Sequence, residues 1–346
     1  MTKLVRILAT IALATPLIVG AQGMDMSGAG NETKIGGFAD VLYRSQRESG
    51  TAGFDFGGVD LFITSRIQKK LSFLAEIMLE RGPDGTIGPD IERVSAAYTF
   101  NNYFRLAAGR FHTPLGYWNS AYHHGALMQP TIDRPEIAHF EDDNGLLPMH
   151  TIGAMISGRD IGKLHLGYDV SLGSQLEPGG AVKGNPSSGL TMAVNAEPIP
   201  DVKIGASVFS DTHHKGITTQ TGGVLGENVN ELIGSGYAAY TRGKLEVIAE
   251  GHRIANKSAS VGTINSWGGY LYAGVHVGSF VPYAMYEGAD ANAADLFLES
   301  RMTRNSLVGI REELSANAVV KFELRQVRLP TGRMRGEFAS QFAIGF

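Results

Sequence analysis

Apolar and polar side chains alternate one by one along several short segments of this sequence, most clearly at its C-terminus. The apolar positions there are Phe338, Phe342, Ile344 and Phe346. Successive side chains of a β-strand point to opposite faces, so each such segment predicts a strand with one apolar and one polar face. The same period recurs in residues 71–79, 163–172 and 318–325. Pieces of about ten residues have the length of a tilted strand that crosses a bilayer.

The connections between these segments are of two kinds, short and long, which alternate along the chain. Short turns are predicted at 69–70, 101–102, 159–162, 198–201, 242–243, 278–279 and 314–316. Longer polar or Gly-rich loops are predicted at 44–54, 81–90, 112–149, 174–188, 211–230, 255–265, 288–303 and 328–336. Fifteen connections predict about sixteen antiparallel strands, with fourteen or eighteen as alternatives. This all-β pattern is typical of a transmembrane barrel, which must close because every backbone donor and acceptor in lipid needs a partner.

The N-terminus reads as an export signal. Lys3 and Arg6 precede a short apolar stretch and small residues, which predicts a signal peptide over 1–21, then a flexible tail over 22–33 and one barrel domain over 34–346. Removal of the signal changes the net charge from −4 to −6, because both lost charges are basic. An acidic chain gives no electrostatic reason to expect nucleic acid. The absence of cysteine excludes disulfides, thiolate metal sites and covalently attached c-type haem.

If the apolar faces contact lipid, the polar faces line the lumen. Charged residues of both signs occupy the alternate strand positions that point inward. A Lys or Arg that pointed outward at the lipid mid-plane would instead cost about 2–4 kcal/mol. The predicted pore-lining residues are Arg66, Glu76, Glu80, Arg93, Arg105, Lys163, His165, Asp169, Lys203, Lys244, Glu246, Glu250, Lys321, Glu323 and Arg325. Such residues bias which ions and polar solutes pass, or they simply hydrate and brace the wall through ion pairs.

The longest predicted loop, 112–149, is the expected constriction, because a barrel of this width leaves an aqueous lumen unless something folds inward. The predicted constriction residues are His123, His124, Asp133, Arg134, Glu136, Glu141, Asp142 and Asp143. Histidines are frequent here, but they are interpreted as ordinary loop residues, since adjacent histidines do not easily bind one ion in an extended chain. No metal and no cofactor are predicted.

Two local sequences carry resemblances to known proteins. The octet from Gly109 to Gly116, GRFHTPLG, resembles the segment that ends a strand and begins a loop in the phosphate-selective porin O/P family. The resemblance implies a porin fold, a loop folded into the channel and a homotrimer as one arrangement. The family's phosphate selectivity is associated with a dense basic lining, whereas loop 112–149 has five acidic residues against Arg134 alone. The aromatic terminal strand ending at Phe346 resembles the signal by which the barrel-assembly machinery recognises its substrates.

These features predict an outer-membrane channel for passive or weakly selective diffusion of small polar solutes or ions. Three alternatives stay open at this point. An outer-membrane barrel enzyme is one, although no Gly-x-Ser-x-Gly motif is present. The barrel of a porin–cytochrome conduit is another, which would need a separate electron carrier. A soluble exported β protein is the third, because a sandwich also shows alternation.

Overall fold

The computed structural model describes residues 32–46, 52–81, 86–123, 125–140, 145–175, 189–328 and 332–346. Within these ranges, sixteen antiparallel strands form one closed barrel in which each strand pairs with its sequence neighbours. The strands are β1 (Glu32–Gln46), β2 (Ala52–Gln68), β3 (Leu71–Arg81), β4 (Ile87–Asn101), β5 (Phe104–His112), β6 (His150–Ile161), β7 (Leu166–Gln175), β8 (Gly189–Ile199), β9 (Val202–His213), β10 (Val229–Arg242), β11 (Leu245–Ser258), β12 (Gly262–Val275), β13 (Phe280–Ala291), β14 (Arg301–Ser315), β15 (Ala318–Arg328) and β16 (Met334–Gly345). The predicted fold class and strand count are confirmed.

The short turns lie within a few residues of their predicted positions because turn residues mark them. Gly243 joins β10 to β11 with φ 68°, and Gly278 joins β12 to β13 with φ 66°. A left-handed backbone is costly for residues with a Cβ and is free for glycine. These two glycines therefore fix the hairpins in which they lie.

The first strand begins at Glu32, slightly before the predicted barrel start at 34. Glu32 and Thr33 pair with Arg66 and Ser65 of β2, which extends the sheet by two residues. The predicted signal peptide and the rest of the predicted tail lie outside the described residues.

The two faces of each strand differ in their surroundings, as β15 illustrates. Phe322 and Leu324 point outward and are 44% and 61% exposed, whereas Lys321 and Glu323 point inward and are 0% and 1% exposed. In a bilayer the outward side chains contact hydrocarbon, and burial of charges on that face would be strongly unfavourable. β15 therefore keeps Lys321 and Glu323 inside the barrel.

Three predicted pore-lining residues lie in short turns and not on the wall: Lys163, His165 and Lys244. The chain turns through a 3₁₀ segment at Gly162–Leu164 and a left-handed His165, so that β7 begins only at Leu166. β11 likewise begins at Leu245, one residue after Lys244. All three residues are exposed. Their assignment to the lumen wall was wrong because the period of two was extended past the strand ends.

The connection between β5 and β6, residues 113–149, is called the inner loop below. Its described part contains one short helix, α1 (Trp118–Ala121), and a 3₁₀ turn at Glu136–Ala138. Backbone N–H of Thr113 donates to the carbonyl of Met149 at 2.9 Å, so the two ends of the loop leave the wall together. No helix in the described residues is long and apolar enough to cross a bilayer.

Candidate functional site

The inner loop fills part of the barrel interior. Leu115, Trp118 and Ile137 of the loop are at most 1% exposed. They belong to one apolar cluster with the inward side chains Ile248 and Tyr272 of β11 and β12. Apolar burial of this kind stabilises a side chain by about 1.5–3 kcal/mol. The loop is therefore packed against the wall inside the lumen.

Three inward carboxylates on alternate strands accept hydrogen bonds from backbone N–H groups of the inner loop. Glu250 of β11 accepts from Tyr117 and Trp118 at 2.9 Å each. Glu287 of β13 accepts from Glu136 at 2.7 Å. Glu323 of β15 accepts from Ile132 at 2.7 Å. Bonds to an ionised acceptor are stronger than those between neutral groups, so these three carboxylates anchor the loop along its length.

Each anchoring carboxylate is itself held by neighbours on the wall. Glu250 also accepts from the hydroxyl of Tyr270 and from His252 Nε2, both at 2.8 Å. Glu323 also accepts from the hydroxyl of Tyr283 at 2.9 Å. These bonds fix the rotamers of the carboxylates, so the wall presents preformed acceptors to the loop.

Basic wall residues bind the inner loop on the side of β15 and β1. Lys321 Nζ donates to the carbonyls of Ala126 and Thr131 at 2.5 and 3.1 Å. Asp133 of the loop forms ion pairs with Arg325, at 2.9 Å, and with Arg44. Burial raises the pKa of Asp133, but the two guanidinium groups outweigh burial and hold that pKa below its ordinary value. Asp133 is therefore ionised at neutral pH and clamps the loop to two strands.

Most inward arginines have acidic partners on the wall. Arg93 pairs with Glu76, and Arg311 Nη2 lies 2.7 Å from Glu246 Oε1. Arg159 Nη2 lies 2.7 and 2.9 Å from the two carboxylate oxygens of Asp169. A guanidinium engaged in this way attracts a mobile anion much less than a solvated one.

The remaining twelve predicted pore-lining residues lie on strands at positions of inward parity. They are Arg66, Glu76, Glu80, Arg93, Arg105, Asp169, Lys203, Glu246, Glu250, Lys321, Glu323 and Arg325. Several contact protein where the sequence suggested open water: Glu76 and Lys321 are 0% exposed. Lys203, next to a short turn, is exposed. The structure thus separates residues that hold the inner loop from residues that can meet solvent.

The predicted constriction residues fall into two groups. His123, Asp133, Arg134 and Glu136 lie within the inner loop, where Arg134 donates to the carbonyl of Ala138 at 2.9 Å and stacks on a phenylalanine ring. The others lie outside the described residues: His124, Glu141, Asp142 and Asp143.

Sequence reasoning missed several residues of this site, among them Arg44, Glu287 and Glu92. Glu287 lies on the inward face of its strand, so a complete count of alternate positions would have found it. Arg44 was missed because residues 44–54 were predicted as a loop, whereas β1 continues to Gln46. Glu92 has an outward position in the sequence alternation but lies inside the barrel, because β3 and β4 change register between Glu76 and Ile77 and leave Glu92 as the extra residue of a bulge. Its carboxylate lies 2.7 Å from His150 and 3.9 Å from His123, which form a cluster with His112.

A closed sixteen-stranded barrel with an apolar exterior and a loop packed inside its lumen defines the porin class of outer-membrane proteins. The family model of phosphate-selective porin O and P matches residues 35–274 of this chain. The chain belongs to this family. No curated protein matches the sequence.

Solved porin structures share the fold at low sequence identity. The anion-selective porin from Comamonas acidovorans has 12% identity and a TM-score of 0.66, covering 92% of this chain and 100% of that one. OmpF of Salmonella typhi, in complex with daunomycin, has 10% identity and a TM-score of 0.65, covering 92% and 98%. OmpT of Vibrio cholerae has 9% identity and a TM-score of 0.63, covering 94% and 99%.

Family and fold together make this chain an outer-membrane porin, a passive channel for solutes. They favour a channel over an enzyme. Neither the family nor the solved structures support the porin–cytochrome conduit.

Proposed function

We propose that this porin is a narrow, weakly selective channel whose width is set by the inner loop and whose inward basic residues do not form a phosphate site. The observation that carries the proposal is the anchoring of the loop by Glu250, Glu287 and Glu323 across the interior. A loop held by three wall carboxylates occupies space that water and solutes would otherwise fill. Passage is then by diffusion through the remaining lumen.

Weak selectivity follows from how the inward charges are used. Lys321 donates to loop carbonyls, and Arg325 contacts both Asp133 and Glu323. Arg311 contacts Glu246. Phosphate would have to replace these carboxylates and carbonyls, at the cost of leaving them buried without a donor. The described wall therefore favours small ions of either sign over tight binding of phosphate.

Two further partners belong to the proposal. A trimer form has been solved for the Vibrio cholerae OmpT, and we expect a homotrimer here on the strength of the shared fold. Phe346 is proposed as the contact for the barrel-assembly machinery. Its ring is 62% exposed, and its backbone exchanges two hydrogen bonds of 3.0 Å with Gly37.

Planar-bilayer recording tests the channel proposal. Deletion of residues 117–145 should raise single-channel conductance, because it removes the segment packed inside the lumen. Val194→Ala, on the exposed outward face of β8, serves as the control and should leave conductance close to that of the wild type. Equal conductance of the wild type and the 117–145 deletion would show that the inner loop does not limit the pore.

Selectivity is measured on the same bilayers. In asymmetric KCl the reversal potential should stay near zero, and millimolar phosphate should leave the chloride current unchanged. A strong block by phosphate, relieved by substitution of Arg325 or Arg311, would contradict weak selectivity and would favour a phosphate site.

A further inference from the structure

Three histidines meet at the foot of the inner loop, although the sequence separates them. His112 ends β5, His150 begins β6, and His123 follows α1 in the loop. All three are buried, with exposures of 2%, 3% and 2%. One ring nitrogen of each lies within 4.8 Å of the corresponding nitrogens of the other two. Buried imidazoles that converge in this way are the commonest protein ligands of transition metals.

Glu92 adds a carboxylate to this cluster. Its Oε2 lies 2.7 Å from His150 Nε2 and 3.9 Å from His123 Nε2, and the two imidazole nitrogens are 3.0 Å apart. A point equidistant from the corners of a triangle with these sides lies about 2 Å from each atom, which is the length of Zn–N and Zn–O bonds. Glu92 Oε2 and His123 Nε2 lie on nearly opposite sides of that point, so a tetrahedral ion, whose ligands are about 3.3 Å apart, requires these two groups to approach each other by about half an ångström.

A second layer of contacts orients His123. Its Nδ1 is hydrogen-bonded to the side-chain oxygen of Asn119. The amide nitrogen of Asn119 donates in turn to the carbonyls of Thr113 and Met149, at 2.8 and 3.1 Å. With Asn119 fixed in this orientation, Nδ1 of His123 carries the proton and Nε2 presents its lone pair to His150. Metal-binding histidines are typically held by such a partner on the other ring nitrogen.

We propose that His123, His150 and Glu92 bind a divalent transition-metal ion of the zinc class, with His112 as the fourth donor. His112 stacks on His123 with 3.5 Å between ring centroids, and one of its ring nitrogens lies within 4.8 Å of a ring nitrogen of each other histidine. Its binding to the ion would require the ring to leave this stack. Three imidazoles and one carboxylate suit zinc, nickel, copper or cobalt and are a poor set for calcium or magnesium. The ion ties β4, β5 and β6 to the inner loop.

The test uses the full-length mature barrel, refolded in detergent, produced without a histidine tag and stripped of metal with a chelator. Isothermal titration with Zn²⁺ should show one ion per chain. Titration with Co²⁺ should give the visible absorption bands of a tetrahedral nitrogen–oxygen site. Both His123→Gln and His150→Gln should weaken Zn²⁺ binding at least tenfold and should reduce the cobalt bands.

His213→Gln is the matched control. His213 is also buried, and it also lies beside a carboxylate, 3.2 Å from Glu231. The His213→Gln variant should bind zinc with the affinity of the wild type. The heat-dependent gel shift of each variant reports folding, and His123→Gln in the loop leaves every wall strand unchanged.

Absence of saturable zinc binding by the folded wild type would overturn the proposal. Equal affinity of the wild type and both cluster variants would overturn it too, as would an equal loss of affinity in His213→Gln. Conductance plays no part in these readouts, so the metal site and the channel proposal fail or stand separately.

Discussion

Glu250 offers the sharpest test of how the inner loop is held. Glu250→Gln keeps the size of the side chain but replaces one carboxylate oxygen by an NH₂ group, which faces the N–H of Tyr117 or Trp118. One loop N–H then loses its acceptor, and the other exchanges a charge-assisted bond for a neutral one. The wall hydroxyl of Tyr270 keeps an oxygen partner only in one of the two amide orientations.

The size of the effect follows from these bonds. A lost bond to a charged group costs about 1.5–3 kcal/mol, and weakening the second adds about 1 kcal/mol. Together they amount to about 2.5–4 kcal/mol, or roughly 70- to 900-fold in the equilibrium between the bound and released start of the loop. Glu287, Glu323 and Lys321 still hold the rest of the loop. We therefore expect local release near α1 and no loss of the barrel.

Fluorescence of Trp118 reports this release directly. The chain has two tryptophans, and Trp118 is fully buried whereas Trp267 is 46% exposed. In a Trp267→Phe background, Glu250→Gln should shift Trp118 emission to longer wavelength and increase its quenching by acrylamide. Single-channel current should become noisier at the same time.

Glu246→Gln is the matched control for this experiment. Glu246 is an inward carboxylate of the same strand, and it contacts Arg311 and Tyr272 of the wall and His276 in the turn between β12 and β13. The reasoning fails if Glu250→Gln leaves emission and noise at wild-type values, or if Glu246→Gln changes them as much.

Three other predictions concern the loop clamp, the lipid face and the terminal residue. Because the folded-state pKa of Asp133 is lowered, its ion pairs with Arg44 and Arg325 are complete above about pH 4 and are lost as pH falls through that lowered pKa. Wild-type current noise should therefore stay constant from pH 7 to about 4, whereas Asp133→Asn should raise the noise already at pH 7. Leu324→Arg should reduce the free energy of unfolding in vesicles by about 2–4 kcal/mol, with Leu324→Ala as the control. An equal effect of the two substitutions would show that the outward face of β15 does not contact lipid. Phe346→Ala should lower the fraction assembled in cells more than the yield of refolding in detergent, and an equal loss in both would point to a purely structural role.

The strand architecture could be predicted because its determinants are local. Each strand alternates faces on its own, and residues such as Gly278 mark the turns independently of the rest of the chain. The octet that ends at Gly116 likewise marks the end of β5 at His112. Errors arose only at strand ends, where Lys163 and Lys244 continue the period of two for a residue or more after the backbone has turned.

The arrangement inside the barrel could not be predicted because its determinants are distant in sequence. Trp118 and Glu250 are 132 residues apart, and nothing in either segment indicates the other. The bulge at Glu92 removes that residue from the alternation, so a residue of outward parity in the sequence lies inside the barrel. The spacing of His112, His123 and His150 acquires meaning only when β5, β6 and the loop are folded together.

The pairing of β1 with β16 has a consequence for biogenesis. It runs from Phe38 opposite Gly345 to Gln46 opposite Glu337, joining the earliest and the latest strand of the chain. Until the last strand arrives, the free edge of the first has no permanent partner, and hydrocarbon offers it none. The closing pairs of β1 and β16 must therefore form before or during insertion, and a chain without β16 should fail to assemble and should not form a leakier pore.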